Sequence, residues 1–388
     1  MTTSPKQIVF VHLLNDYSGS PLVLSQVIPS LPDREYKKWL YISSSSLEGF
    51  LSGLDAVRTV HFRYRWKANG WLRLLSYAFS QVLLFFQLLR FYRKDVLIYI
   101  NTLLPFGAAL AGRLMGKKII YHLHETSMKP PPLKAFLRFV ANHTAESVIY
   151  VSHYLAAAEK MSRPQQVVIH NCLPPAFTDK AALHPVQRVF TRYAAPSPAH
   201  KPHRVLMLCS MKEYKGINEF VTLARMLPML AFELVLNTTK DEMQNWLARQ
   251  KTPANCTVFS AQSNTHPFYQ RATIVINLSH PDKWIETFGM TILEAMTYGL
   301  PVIVPPVGGV RELVGEGING FMADYRNLET IADHIRQLTN DPCLYQSLSE
   351  QALLRSKLFS PQHFKSSIRT LIAGLLPDKA SLHLKISA

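Results

Sequence analysis

Two glutamates eight residues apart, Glu286 and Glu294, bracket the stretch Thr287-Phe288-Gly289-Met290. The run from Trp284 to Ile303 reads as loop, helix, Gly299 cap and strand. Glu286 then stands just before a helix start, and Glu294 projects from the second turn. The backbone N–H groups of 287–290 present a positive dipole end suited to a phosphate or a developing anion. Carboxylates on either side can accept hydrogen bonds from vicinal hydroxyls, the chemistry that holds a sugar and a ribose. Spacing alone leaves a second reading open, because a glutamate near a helix N-terminus also compensates the dipole.

Two further loops carry reactive groups. Ser210-Met211-Lys212-Glu213-Tyr214-Lys215-Gly216 follows an apolar run at 205–209 and precedes a helical pattern from 218. A lysine there can offset the charge of a departing diphosphate. Tyr121-His122-Leu123-His124-Glu125 closes another apolar run. An isolated His-x-His pair is more often structural and less often metal-binding, and no third ligand with metal spacing follows.

These loops need strands to hold them. Short β-rich runs at 8–14, 39–42, 96–100, 118–123, 148–151 and 167–169 alternate with helical patterns such as 106–115. After a proline-rich break at 181–202 the alternation resumes, with runs at 205–209, 232–236, 257–259, 273–278 and 302–304. Strands alternating with helices predict a parallel, doubly wound α/β sheet, here twice. The expected organisation is a domain over 1–184, a linker over 185–203, a second domain over 204–360 and a C-terminal helix over 361–388 packing back on the first. Two such domains in tandem are expected to face a central cleft, where ligands of these folds bind.

The 388 residues are 48% hydrophobic and 18% charged, which excludes a disordered tail or a fibre, and the formal charge is +16. Residues 1–195 hold 23 Lys+Arg against 10 Asp+Glu, whereas 196–388 hold 19 against 16. Within the first half, 56–94 contains eight basic residues and no carboxylate before Asp95. That stretch suits an anionic membrane surface or a nucleic acid. Its segment 71–94 is helical in spacing, with Arg73, Ser76, Ser80, Gln87, Arg90 and Lys94 forming a narrow polar stripe. It is expected to be a crossover helix against the sheet whose outer face can also enter a membrane interface. Four scattered cysteines form no CxxC pair and point to a reducing compartment. The run at 8–14 is expected to be a first strand rather than a signal peptide.

The stretch E-T-F-G-M-T-I-L-E-A-M-T-Y-G-L-P-V-I from Glu286, followed by Gly308-Gly309-Val310-Arg311-Glu312 and Gly317-Ile318-Asn319-Gly320-Phe321, resembles the retaining GT-B glycosyltransferases of family 4, the glycosyl transferases group 1. The resemblance implies transfer of a sugar from a UDP- or GDP-sugar, with retention and without a metal or other cofactor. In that scheme Glu286 contacts the donor sugar, Glu294 holds the ribose, and the amides of Phe288, Gly289 and Met290 face sugar and diphosphate. Lys215 matches the family's loop lysine, but the usual arginine is Ser210, with Lys212 as a stand-in. His124 and Gly19 match the acceptor side. Expected partners are the nucleotide-sugar and a lipid-linked or glycan acceptor, as in polysaccharide or lipopolysaccharide assembly. The expected location is cytoplasmic, peripheral to the inner face of a membrane through 56–94. The rivals are a nucleic-acid-binding protein, which leaves Glu286 and Glu294 idle, and an inactive glycosyltransferase-like subunit. No Asp-x-Asp triplet occurs, which argues against a metal-dependent GT-A enzyme. Gly315-Glu316-Gly317-Ile318-Asn319-Gly320 satisfies G-x-G-x-x-G but is not followed by a helical pattern, so it is not a dinucleotide fingerprint.

Overall fold

The computed structural model describes residues 6–44, 48–183 and 203–376. Residues 185–202 of the expected linker and 377–388 of the expected last helix lie outside the described residues. The chain divides into two compact units, Met1–Asn171 with Gln362–Ala388, and Cys172–Pro361.

The first unit is built on β1 (Lys6–Val11), β2 (Tyr36–Ser43), β3 (Val57–Phe62), β4 (Val96–Asn101), β5 (Ile119–Leu123), β6 (Ser147–Tyr150) and β7 (Gln165–Val168). They form one seven-stranded sheet in the order β3-β2-β1-β4-β5-β6-β7, parallel throughout. Every residue of β4, β5 and β6 is buried, because helices cover both faces. Such strands read as unbroken apolar runs, and each fully buried Ile or Leu adds about 1.5–3 kcal/mol. The edge strand β3 differs. Arg58, Thr59 and His61 are exposed on it, so it carries no apolar run and hides inside the basic stretch.

The second unit repeats the plan with β8 (Arg204–Ser210), β9 (Ala231–Asn237), β10 (Cys256–Phe259), β11 (Ile274–Ile276), β12 (Val302–Val304) and β13 (Gly320–Met322), in the order β10-β9-β8-β11-β12-β13. Both sheets reverse direction beside their first strand, at β1/β4 and at β8/β11, and such switch points place ligands at the strands' carboxyl ends. β11 is shorter than its apolar run because Asn277 accepts a hydrogen bond from Ser279 N–H and turns the chain out of the sheet. The core joins Val205, Met207, Phe220, Phe232 and Leu234 to Ile331 and Ile335 of the helix Leu328–Asn340.

One boundary differs from the sequence reading, and the C-terminal helix groups as expected. Residues 172–183 pack with the second unit, because Phe177 on the helix Pro175–Ala182 stacks on His266 at 4.4 Å between centroids. At the other end, the helix Pro361–Leu375 groups with the first unit from Gln362 onward and buries Phe364, Ile368 and Ile372 at four-residue spacing. Arg369 Nε donates to Ser30 O at 2.5 Å.

The helix Gly70–Leu88 also departs from expectation. Its buried side holds Tyr77, Ser80, Gln81, Leu84 and Leu88, while Trp71, Leu75, Phe79 and Phe86 face outward. The inward polar groups are spent on the unit itself. Tyr77 Oη donates to Leu104 O at 2.5 Å, and Gln81 Oε1 accepts from Gly107 N–H at 3.1 Å. Gly107 has no room for a side chain, since a Cβ there would lie 2.1 Å from Gln81 O.

Candidate active site

In the second unit the β8 loop and the turn after β11 bring the expected residues together. After Ser210 the chain makes a short 3-10 turn, Glu213–Lys215, held by Lys215 N–H donating to Lys212 O at 2.9 Å. Lys215 Nζ reaches Glu286 Oε2 at 2.9 Å. It also lies 5.2 Å from the Trp284 ring centroid, and that ring stacks on Tyr214 at 5.7 Å. The pair is mostly shielded from water, with 14% of the lysine side chain and 23% of the glutamate exposed. Glu286 is fixed through its backbone as well, because its carbonyl accepts from Gly309 N–H at 2.8 Å. Burial pushes the neighbouring Cys209 thiol up to about 12 despite the Lys215 charge, so it is an inert neighbour.

Glu286 is separated from Glu294 by the start of the helix Met290–Thr297. Gly289 takes φ +102° ahead of that helix, a conformation that favours glycine, and no side chain caps the N-terminus. Phe288 is buried and packs edge-on to Phe359 at 5.7 Å, which anchors the turn. The first helical amides, from Met290 onward, thus open at the carboxyl end of the sheet with their dipole unopposed by any first-turn acid.

Glu294 is partly buried on the same helix and accepts a hydrogen bond from Tyr269 Oη at 2.5 Å. Desolvation raises its carboxyl to about 7, and the tyrosine's donation opposes that rise. Tyr269, on the helix His266–Arg271, is itself stacked on Tyr298 at 5.7 Å. Sequence reading gave no sign of Tyr269, which lies outside the motif in a segment of ordinary composition.

The remaining loop residues are placed differently. Ser210 ends β8 half-buried and accepts Lys212 N–H on its backbone carbonyl at 2.7 Å. Lys212 is exposed, and its charge helps hold the Glu242 carboxyl below its usual range, after the Thr238 and Thr239 hydrogen bonds. The structure pairs Glu286 with Lys215 and sets Lys212 toward Glu242. The glycine-rich segment 315–320 is a turn clasped by Asn319, which accepts from Gly315 N–H at 2.8 Å and donates to Leu313 O at 3.1 Å, and it feeds β13 rather than a helix.

In the first unit, the ends of β1, β4 and β5 gather a histidine network. His124 Nε2 lies 2.7 Å from Asn101 Oδ1, and Asn101 Nδ2 donates to Ser20 O at 3.0 Å and lies 3.1 Å from His12 Nδ1. The amide orientation that satisfies Ser20 assigns the proton of His124 to Nε2. Burial lowers all three imidazoles, His12 to about 4, His122 to about 3 and His124 well below the usual value, so each is neutral at pH 7. Thr102, next to Asn101, has φ +70°, a strained conformation for a β-branched residue. Asn101 is a polar residue ending an apolar strand beside the switch point, a signal the sequence did hold. Gly19 opens the helix Gly19–Ser30 at the end of β1, exposed, with nothing within 4 Å of where a Cβ would stand. Local packing therefore does not demand glycine there.

Residues 191–355 match the family model described as Glycosyl transferases group 1. A stretch of 173 residues is 25% identical to poly(glycerol-phosphate) alpha-glucosyltransferase of Bacillus subtilis (strain 168), covering 44% of this chain and 25% of that protein. A stretch of 106 residues is 32% identical to sucrose-phosphate synthase of Spinacia oleracea, covering 27% of this chain and 10% of that one. The matches thus span a quarter or less of these curated relatives. Among solved structures, Anabaena Alr3699/HepE in complex with UDP and glucose superposes with a TM-score of 0.72 at 19% identity, over 94% of this chain and 99% of that one. Sucrose-phosphate synthase from Thermosynechococcus elongatus gives 0.75 at 15% identity, over 96% and 99%. The two parallel-sheet units have the fold of the GT-B glycosyltransferases, and the group 1 glycosyltransferase match falls on residues 191–355.

Proposed function

We propose that this chain, a GT-B protein with a group 1 glycosyltransferase domain, transfers a hexose from a UDP- or GDP-sugar to a membrane-linked or polysaccharide acceptor. Anomeric configuration is retained and no metal is used. The observation that carries the reading is the arrangement of Lys215, Glu286, the uncapped helix start at Gly289 and Glu294 at the carboxyl end of one sheet. The nucleotide ribose donates its hydroxyls to Glu294. The diphosphate takes the charge of Lys215 and the amides of Phe288, Gly289 and Met290, with Lys212 and the Ser210 hydroxyl at its outer edge. Glu286, relieved of Lys215, accepts from the sugar's hydroxyls. Lys215 then does for the departing diphosphate what a divalent cation does elsewhere, stabilising charge as the glycosidic bond breaks.

On the acceptor side, neutral His124 and the open helix start at Gly19 receive the incoming hydroxyl. An imidazole that stays neutral can position that hydroxyl through a hydrogen bond. The presence of UDP in the Alr3699/HepE complex supports a nucleotide-sugar donor. The basic first half and the glycerol-phosphate polymer named for the Bacillus relative support a cell-surface glycan as acceptor, at the cytoplasmic face of a membrane. The test is a screen of UDP-, GDP- and ADP-sugars for slow donor hydrolysis and thermal stabilisation, in the presence of a chelator. A Glu294→Ala variant that binds the nucleotide as tightly as the parent would overturn the site.

A further inference from the structure

We propose that the helices Gly70–Leu88, Phe106–Leu114 and Pro131–Thr144 form one membrane-docking face that lies in the plane of an anionic bilayer, its apolar side chains in the headgroup and acyl boundary. This deepens the membrane half of the function proposed above and is independent of the donor chemistry.

The first observation is a helix that is apolar on both sides. On Gly70–Leu88 the side turned to the protein holds Tyr77, Leu84 and Leu88 with Ser80 and Gln81, and the side turned outward holds Trp71, Leu75, Phe79, Val82 and Phe86. Trp71 is 79% exposed and Phe86 64%. A helix covering a sheet in water is expected to turn a polar side outward, so the outward stripe calls for a second apolar phase. By length and composition the segment Gly70–Phe91 could cross a membrane. Its inner side is nevertheless committed to Gly107 and Leu104 within the unit, which leaves only the outer side for lipid.

The second observation is that the stripe does not end with that helix. Tyr77 packs edge-on to Phe106 at 5.8 Å, and Phe106 to Phe136 at 5.1 Å, so the three helices lie side by side. The outer two add exposed Leu110, Leu114, Phe136 and Phe139. None of these was conspicuous in the sequence, because each helix alone shows only two such residues.

Charge identifies the covering phase as anionic lipid. None of the three helices contains a carboxylate. The loop carrying Arg65 and Lys67 is tied alongside the first helix by Ser76 Oγ, which donates to Arg65 O at 2.7 Å, and Arg93 and Lys94 follow the helix exit. Indole and phenol groups stand at both ends, Trp66 and Trp71 at one and Tyr92 at the other, the arrangement that suits a headgroup interface. A nucleic acid would use the rim charges and leave the apolar centre in water.

The test sediments the full chain with vesicles of phosphatidylcholine, with and without phosphatidylglycerol, and measures UDP affinity in parallel. The chain is expected to bind the anionic vesicles. Phe79→Gln with Phe86→Gln, both exposed on the outward side, should weaken that binding by about tenfold or more. Arg65→Gln with Lys67→Gln and Arg93→Gln should weaken it by about a hundredfold, and only where phosphatidylglycerol is present. Both variants should keep the parent's melting temperature and UDP affinity. Equal vesicle binding by the double-phenylalanine variant overturns the face, as does light scattering showing that this face joins two copies. Loss of UDP binding by the parent would instead strike the donor site and leave this inference standing.

Discussion

Lys215 Nζ and Glu286 Oε2 are 2.9 Å apart, and each is largely shielded from water. Such a pair is stable only while both members are present, since removing one strands the other charge in a poorly hydrated place. Lys215→Ala is therefore expected to lower donor turnover by about 10²–10³-fold, the usual cost of one electrostatic stabiliser of a departing anion. Lys215→Arg should recover part of it. Steady-state rates with the cognate nucleotide-sugar decide the matter, and a Lys215→Ala enzyme within tenfold of the parent would sink the role.

Glu294 yields a prediction with opposite signs for stability and binding. Its folded carboxyl titrates near 7, above the ordinary value of 4.5. A raised carboxylate costs stability as pH climbs from about 4.5 through 7, because the unfolded chain ionises first, and the cost approaches about 3 kcal/mol at most. Glu294→Gln should thus melt at a higher temperature than the parent above pH 7 and at the same temperature below pH 4.5. The same variant should bind UDP at least about tenfold more weakly. A variant less stable than the parent at pH 8 would refute the argument.

Nucleotide binding should also move protons. Ribose hydroxyls donate to the ionised carboxylate, so binding near pH 6.5 is expected to release up to one proton and binding at pH 8.5 none. Calorimetry of UDP in two buffers of different ionisation enthalpy measures this directly. Tyr269→Phe removes a donor that stabilises the Glu294 carboxylate and should shift the acid limb of UDP binding upward by about one pH unit. An unmoved limb would mean that the tyrosine serves packing alone.

The histidine network makes a spectroscopic prediction. His12, His122 and His124 are held neutral by burial, so their nitrogen shifts should stay those of neutral imidazole from pH 8 down to about pH 5. Asn101→Asp places a carboxylate against His124 Nε2 and should bring one of these histidines into titration near neutrality. Transfer to the acceptor should fall in that variant while donor affinity holds. Titration of His124 near pH 6.5 in the parent would remove the premise.

Much of this molecule was legible before its structure. β4, β5 and β6 announced themselves because strands buried on both faces need apolar residues at every position. Glu286, Gly289 and Glu294 were legible because a helix start can be read from a local pattern. What escaped depended on contacts between segments far apart in the chain. Tyr269 meets Glu294 across 25 positions, and Asn101 meets His12 across 89. Phe177 binds the second unit's His266, which moved the boundary to 172. β3 was hidden for a different reason, since an edge strand facing water with Arg58 and His61 has no apolar signature. The helix Gly70–Leu88 showed its composition but not its orientation, because the groups its inner side meets, Leu104 O and Gly107 N–H, lie in another segment.

The glycine at 107 gives that orientation a mechanical meaning. With only 2.1 Å between Gln81 O and the place a Cβ would occupy, the helix backbone is seated directly on its neighbour at that crossing. That neighbour is the helix Phe106–Leu114, which follows the strand ending at Asn101, so the outward aromatics and the histidine network belong to one closely packed unit. Under the docking proposed above, the height of those histidines over the bilayer follows from the fold, and with it the reach asked of a lipid-linked acceptor.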